Sequence, residues 1–181
     1  MRRLLQGEEA AYADLCGLYG AALHRYAASH LRGDRELAEE VVAAALADVV
    51  RNIRRFSPHR ASLSAWIYGI ARRHVQAEGR RQQRKRSVPA EAQVPLEAVA
   101  EFAEQEGMEA AAQARIDAQR QVARLSVILS EEELEALLLF HGEGFSAPEI
   151  ARIVGRSERA VETILYRARQ KARACLGAAD G

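Results

Sequence analysis

Two short helical patterns around one glycine constrain the fold of this chain more than any other feature. Ser146 and Glu149 have the spacing of a capping box at the start of the first pattern, and Pro148 is tolerated in a first helical turn. Gly155 supplies a tight turn, and Ser157 is placed to cap a second helix. Two helices joined by such a turn predict a helix-turn-helix.

The second of these helices is predicted to be amphipathic. Its apolar positions recur at helical spacing and are Val161, Ile164, Leu165, Ala168 and Ala172. Its opposite face is polar and carries Arg159, Glu162, Thr163, Tyr166 and Gln170. A helix that packs by one stripe and is polar on the other is the part of such a motif that enters a DNA major groove. A helical hairpin with a solvated face has the same pattern and stays open as the alternative.

The charge of the chain is segregated, although its net value is only +1. Residues 51–86 contain eleven Lys or Arg and one acid, whereas residues 91–117 contain seven acids and one base. The final helices are basic again. Two basic blocks on either side of an acidic one suit a protein that contacts a polyanion at two places. Nucleic acid is therefore the predicted partner.

Three helical patterns predict a first domain over residues 1–86. The first pattern turns Leu15, Leu18 and Tyr26 inward, and the second restarts at an Asp34 cap and ends before Pro58. The third follows the loop at residues 57–62 and is expected to fray past Gly79. Trp66 has the helical spacing of a core residue in this pattern.

A linker is predicted over residues 87–113, where prolines, glutamates and few large apolar residues occur. A second domain is predicted over residues 114–177. In it Ser130 and Glu133 form a capping box for a helix to Phe140, whose apolar side chains are expected to pack on the helix-turn-helix. Hydrophobic residues make up 49% of the chain and aromatic residues only 6%, with no run of alternating β-branched residues. We predict an all-α fold of two small helical domains joined by a flexible acidic linker, the C-terminal one a helix-turn-helix.

Composition also argues against several classes of function. No apolar run reaches membrane-spanning length and no signal peptide is evident after Met1, so a cytoplasmic protein without membrane insertion is expected. Cys16 and Cys175 lack ligand-like spacing, and reduced thiols are expected. No phosphate-binding glycine loop or metal-ligand motif occurs. We predict no enzymatic activity, no cofactor and no metal site.

The chain resembles an extracytoplasmic-function (ECF) sigma factor, a promoter-recognition subunit of bacterial RNA polymerase. The segment from Gly33 to Val42 is similar to the family's GDREDAEDLVQE block, and the segment from Arg55 to Arg72 is similar to RFDPGRGSFRAWLYRIAR. The segment from Leu134 to Arg169 follows the family's C-terminal helix-turn-helix pattern. The resemblance covers nearly all of the chain.

The resemblance implies two DNA-binding surfaces and one surface for the polymerase. The loop and third helix of the first domain would engage the downstream promoter element and its unpaired strand through His59, Arg60, Ser62, Arg72, Arg73, His74, Gln76 and Arg80. The second helix of the helix-turn-helix would read the upstream element through Arg159, Glu162, Thr163 and Tyr166. Three further cations are better placed for phosphates, namely Arg156, Arg167 and Arg169. The clamp helices of the largest polymerase subunit would bind Glu36, Glu39, Glu40 and Ala43. The flap region of the second-largest subunit and an anti-sigma factor are further partners that the resemblance implies.

Several residues depart from the family pattern. Ala43 and Ala44 replace a usual Gln-Glu pair, Glu162 replaces a usual Lys, and Ile164 replaces a usual Arg. A glutamate can accept a hydrogen bond from cytosine N4 but repels phosphate. These departures keep a second hypothesis open, a sigma-like interaction protein that binds an anti-sigma or another regulator with little promoter activity. An ordinary helix-turn-helix repressor is a third, but it leaves the basic first domain unexplained.

Overall fold

The computed structural model describes residue 3 and residues 9–31, 33–85 and 124–177. Within these ranges the chain forms helices joined by turns, without a strand, so the all-α prediction is confirmed. The chain divides into two compact units, Met1–Ala98 and Val99–Gly181. The predicted linker, residues 87–113, lies outside the described residues, as do both predicted domain boundaries.

Three helices build the first unit: α1 (Glu9–His30), α2 (Arg35–Asn52) and α3 (Leu63–Lys85). Each of the three packs against the other two. The side chains at the centre of this packing are fully buried and include Leu23, Val49, Ile67 and Ile70. A short 3₁₀ helix, Ile53–Arg55, follows α2 and leads into the loop before α3.

The start of α2 follows the local rules that its sequence suggested. Asp34 is the N-cap, and its carboxylate accepts a hydrogen bond from the backbone N–H of Leu37 at 3.0 Å. Gly33 before it has a positive φ of 78°, which glycine adopts without strain. The predicted restart of the chain at this point is confirmed.

Two expectations for the first unit were wrong. Leu18 is 76% exposed, because α1 turns Leu15, Leu23 and Tyr26 inward instead. The helix α3 does not fray past Gly79 but continues to Lys85. One glycine costs a helix only about 1 kcal/mol relative to alanine, and the long Arg and Gln side chains that follow favour helix.

The second unit contains α4 (Glu131–Leu137), α5 (Ala147–Val154) and α6 (Glu158–Gly177). Residues 124–128 are also helical. A π-helical turn, Leu138–Gly142, continues α4. Both α4 and α5 pack on α6. The fully buried side chains of this core include Leu139, Ile150 and Val161.

Both predicted capping boxes are present. The Ser130 hydroxyl accepts from the Glu133 N–H, and the Glu133 carboxylate accepts from the Ser130 N–H at 2.9 Å. Ser146 and Glu149 pair in the same way at the start of α5. The helix expected to run to Phe140 instead widens into the π-helical turn after Leu137.

Candidate nucleic-acid interface

A left-handed glycine sets the turn between α5 and α6. Gly155 has φ 70° and ψ 37°, and the Arg156 N–H donates to the Ala151 carbonyl at 3.0 Å. The Ser157 hydroxyl then accepts from the Ala160 N–H at 3.3 Å, which caps the start of α6. The predicted helix-turn-helix is therefore present, with Gly155 and Ser157 in the positions expected of them.

The two faces of α6 differ as the sequence predicted. Val161, Leu165 and Ala168 are buried against α4 and α5. The exposed face carries the four side chains predicted to read bases, Arg159, Glu162, Thr163 and Tyr166. The last three follow Arg159 by three, four and seven residues, so all four lie on adjoining turns of one helical face. Tyr166 is 64% exposed, a high value for an aromatic side chain.

The four residues of this face differ in how their polar atoms are engaged. The Thr163 hydroxyl donates to the Arg159 carbonyl at 2.9 Å, so its proton is used within the helix. Within the part of the chain that the structure describes, the Glu162 carboxylate has no hydrogen-bond or ion-pair partner. Glu162 therefore presents free acceptors on this face.

The three cations predicted to contact phosphates lie in different surroundings. Arg156, in the turn before α6, forms an ion pair with Glu132 in the first turn of α4. The guanidinium of Arg169 lies 4.4 Å from the centroid of the Phe140 ring, a cation–π contact. Arg167 is exposed. If Arg156 binds DNA, it must share or give up its ion pair with Glu132. If Arg169 binds DNA, it must share or give up its contact with the Phe140 ring.

A buried carboxylate connects the start of α4 to the second half of α6. The Glu133 side chain is 9% exposed and lies 2.7 Å from the Lys171 ammonium. The hydrogen bond from Lys171 and the backbone N–H of Ser130 lower the pKa of Glu133 below its ordinary value. The capping box and this ion pair share one carboxylate, and together they hold α6 against α4.

In the first unit, the loop before α3 presents two of its predicted site residues to solvent. His59 and Arg60 are exposed. The Arg60 N–H donates to the Ser57 carbonyl at 3.0 Å, which folds the loop into a tight turn. The Ser62 hydroxyl accepts from the Ala65 N–H at 3.3 Å, so Ser62 helps to cap α3 as well as lying at the surface.

The helix α3 divides its predicted site residues between surface and interior. Arg73, Gln76 and Arg80 are exposed, and Arg72 is half-buried. With its amide oxygen turned toward Arg72, Gln76 accepts from that guanidinium at 2.8 and 3.0 Å. His74 is half-buried and bonds to Asp48 of α2, so the structure does not bring it together with the exposed cations.

Asp48 is the centre of a small charged cluster between α2 and α3. Its carboxylate accepts from Arg51 at 2.6 Å and lies 2.6 Å from Nε2 of His74. The hydrogen bond from Arg51, followed by that from His74, lowers the pKa of Asp48 below its ordinary value. The cluster joins the two helices at the surface of the first unit.

Trp66 lies at the end of α3 nearest the loop. Its ring centroid is 5.4 Å from that of Phe56, and both residues are half-buried. The expectation that Trp66 belongs to the core is therefore met only in part. The pair covers the junction between the 3₁₀ helix and the loop.

The predicted polymerase-binding residues share one exposed face of α2. Glu36, Glu39, Glu40 and Ala43 are all exposed. The opposite face of the helix is buried in the three-helix packing through Ala38, Val41, Val42 and Ala45. The pKa of Arg81 on α3 is raised mainly by its hydrogen bond to Glu78, and in smaller part by the charge of Glu40.

Sequence reasoning missed the partners of several site residues. Asp48, Glu132 and Phe140 engage His74, Arg156 and Arg169, as described above. The first two of these pairs are separated by 26 and 24 residues along the chain. Only a prediction of how the helices cross would have found them.

The described ranges contain neither a metal-binding cluster nor a membrane-spanning helix. No group of His, Cys, Asp or Glu there is arranged to hold a metal ion. No helix there is both long and apolar enough to cross a membrane.

Two family profiles match the chain, one in each unit. Residues 15–85 match "Sigma-70 region 2" and residues 119–171 match "Sigma-70, region 4". The chain is 25% identical over 169 residues to "ECF RNA polymerase sigma factor BldN" of Streptomyces coelicolor (strain ATCC BAA-471 / A3(2) / M145). That alignment covers 93% of this chain and 61% of BldN, so the chain spans about three-fifths of the length of this curated relative.

Two solved structures share the fold. CnrH in complex with the cytosolic domain of CnrY has a TM-score of 0.65 and 23% identity, covering 98% of this chain and 94% of that one. The sigma factor RpoE in complex with the anti-sigma factor NepR from Bartonella quintana has a TM-score of 0.69 and 24% identity, covering 92% and 97%. The two region profiles occur in order on one chain, and the alignment with BldN runs through both. The chain therefore belongs to the sigma-70 family, in its extracytoplasmic-function group.

Proposed function

We propose that this chain directs RNA polymerase core to specific promoters and assists strand opening in transcription initiation. The observation that carries the proposal is α6, which is buried on one face and presents Arg159, Glu162, Thr163 and Tyr166 on the other. Direct readout requires such side chains on the exposed face of a helix that fits a major groove. Membership in the sigma-70 family supports the assignment of that groove to an upstream promoter element.

The first unit is proposed to contact the downstream element and its displaced strand. The exposed positions of its loop and of α3 suit this role, since a single strand is held by cations along its phosphates. The proposed contacts are His59, Arg60, Ser62, Arg72, Arg73, Gln76 and Arg80. His74 is assigned a structural part in this proposal because its imidazole bonds to Asp48.

The acidic face of α2 is proposed to bind the clamp helices of the largest polymerase subunit, and the second unit to bind the flap region of the second-largest. Glu36, Glu39 and Glu40 are exposed and point to a basic partner surface. Ala43 and Ala44 are exposed as well and offer only small apolar contacts there. Binding would then depend on the three glutamates.

Transcription in vitro tests the proposal. The full-length chain is combined with bacterial core polymerase on a promoter library, and initiated transcripts are sequenced. Initiation at a defined set of sites is expected, and it should fall when Glu36, Glu39 and Glu40 are changed together to glutamine. Absence of core binding, or of initiation from any sequence in the library, would refute the proposal.

A second candidate is a sigma-like protein whose main partner is a regulator. The observation in its favour is that Ala43 and Ala44 present no polar group at the surface where the family pattern has Gln-Glu. Both solved structures described above are complexes with a protein partner, the anti-sigma factor NepR in one of them. An anti-sigma partner is compatible with either candidate. Failure of core binding, with DNA binding retained, would favour the second one.

A further inference from the structure

Among the described residues, the exposed Glu162 carboxylate has no hydrogen-bond or ion-pair partner, although Arg159 lies three residues before it at a spacing that favours opposite charges. Glu162 lies in the second turn of α6, beyond the first turn in which a carboxylate interacts well with the helix dipole. Glu158 already occupies that first turn, and it is four residues away, a spacing at which like charges repel. No ion pair or hydrogen bond to another described residue compensates the Glu162 carboxylate.

Three other glutamates in the described part of the second unit are engaged by neighbouring residues. Glu132 and Glu133 each pair with a cation, Arg156 and Lys171 respectively. Glu149 is engaged in the capping box of α5. Glu162 is instead exposed on the face that is proposed to meet DNA, where a carboxylate is repelled by phosphate unless a base donor compensates it.

We infer that Glu162 is a specificity-determining residue that selects cytosine in the upstream promoter element. The inference rests on the proposed function, since it assigns one base to one side chain of the same helix. Glu162 is the fifth residue of α6, and the N-terminal residues of a recognition helix are the ones that contact base edges.

The chemistry of the major groove decides which base a carboxylate accepts. An ionised carboxylate has only acceptors. Guanine presents N7 and O6, and thymine presents O4, which are all acceptors and therefore repel it. Adenine presents the N6 donor beside the N7 acceptor, whereas the only polar group of cytosine in this groove is the N4 donor. Cytosine is therefore the base that donates to Glu162 without an opposing acceptor on the same base.

Among the neighbouring side chains of this face, Glu162 supplies the charged acceptor. The Thr163 hydroxyl donates its proton to the Arg159 carbonyl. The Arg159 guanidinium carries donors only, which match guanine rather than cytosine. Tyr166 lies one turn further along the same face. Among these four residues, Glu162 is the one that carries acceptors alone.

The test uses holoenzyme assembled from the full-length chain and bacterial core polymerase, with a promoter library randomised across the upstream element. The wild-type chain is expected to enrich cytosine at one position. Glu162→Gln should shift that position toward adenine, because an amide matches the adenine N6 and N7 pair, and should change the cytosine-to-adenine ratio about tenfold. The other positions should keep their preferences.

Glu158→Gln is the matched control, since it removes the same charge from an exposed glutamate in the first turn of α6. It should leave the base preference as in the wild type. Two outcomes would overturn the role of Glu162 while leaving promoter recognition intact, provided that the wild type enriches defined sequences. In the first, Glu162→Gln leaves the base preference unchanged. In the second, Glu158→Gln shifts the base preference as much as Glu162→Gln does. Binding to core without enrichment of any sequence would overturn the promoter-recognition proposal as well.

Discussion

The imidazole Nε2 of His74 lies 2.6 Å from the carboxylate of Asp48 and joins α3 to α2 in the first unit. The same carboxylate accepts two hydrogen bonds from Arg51, at 2.6 and 3.2 Å. His74 was expected to face DNA, and the bond to Asp48 gives it a part in helix packing as well. Its effect on stability can be measured separately from any effect on transcription.

Asp48→Asn should lower the unfolding free energy of the first unit by about 1 kcal/mol at neutral pH, because Arg51 and His74 lose the negative charge of their acceptor at a partly exposed site. Since folding lowers the pKa of Asp48, its contribution is present at neutral pH and is lost as the pH falls through that lowered value. The unfolding free energies of the wild type and of Asp48→Asn should therefore become equal in strongly acidic solution. Trp66 is the single tryptophan of the chain, so its fluorescence during urea unfolding follows this unit. A difference in unfolding free energy between the two proteins that does not change with pH would contradict the prediction.

Glu133→Ala should destabilise the second unit by about 2 kcal/mol, because it removes half of a capping box and leaves Lys171 without its carboxylate. Glu133→Gln keeps the cap acceptor and should cost less. The pKa of Glu133 is lowered in the folded state, so the difference between wild type and Glu133→Gln should shrink as the pH falls below the ordinary glutamate range. Thermal unfolding followed by circular dichroism measures these effects. Equal losses for the two variants would show that the cap contributes nothing beyond the charge pair.

Gly155→Ala should cost about 1 kcal/mol, because φ is 70° at this position and a Cβ disfavours that conformation. The space around Gly155 is open, so the strain is in the backbone alone. Gly155→Asn should cost less, since asparagine enters the left-handed region more readily. Unfolding of the two variants measures the difference. Equal stability of Gly155→Ala and wild type would mean that the turn rearranges.

Arg73→Ala should weaken DNA binding and reduce the slope of log K against log salt by about one, the contribution of a single phosphate contact. Arg73 is exposed on α3, in the surface proposed to hold the displaced strand. Gln83→Ala, an uncharged change at another exposed position of the same helix, should leave the slope as it is. Titration of holoenzyme with promoter DNA at several salt concentrations gives the slopes. The same slope in wild type and Arg73→Ala would remove Arg73 from the contact surface.

The features of the fold that the sequence predicted are those that local chemistry determines. The capping box of Ser130 and Glu133 is complete within four residues, and Gly155 adopts the left-handed turn that its position required. Leu18 was placed wrongly because α1 is rich in alanine, and several of its faces are apolar enough to compete for the interior.

The environment of the candidate site was harder to predict. The helical period of α6 predicted that Arg159 and Glu162 would be exposed. The same period could not predict the contact between Arg169 and Phe140, because that contact depends on how the π-helical turn packs beside α6. Contacts of this kind join residues far apart in sequence, and their geometry is fixed only when the helices have packed.

The unbroken course of α3 to Lys85 fixes the spacing of the cations that the first unit is proposed to present to DNA. Val75 is the last buried residue of α3, and the turns that follow carry the exposed side chains of Arg80, Arg81 and Arg84. Arg73 and Arg84 are eleven residues apart on it, which corresponds to about 16 Å. At roughly 3.4 Å of helix axis per phosphate of one strand in duplex DNA, that distance would correspond to about five nucleotides. A frayed end would have held the same cations without any fixed register to the backbone proposed to face them.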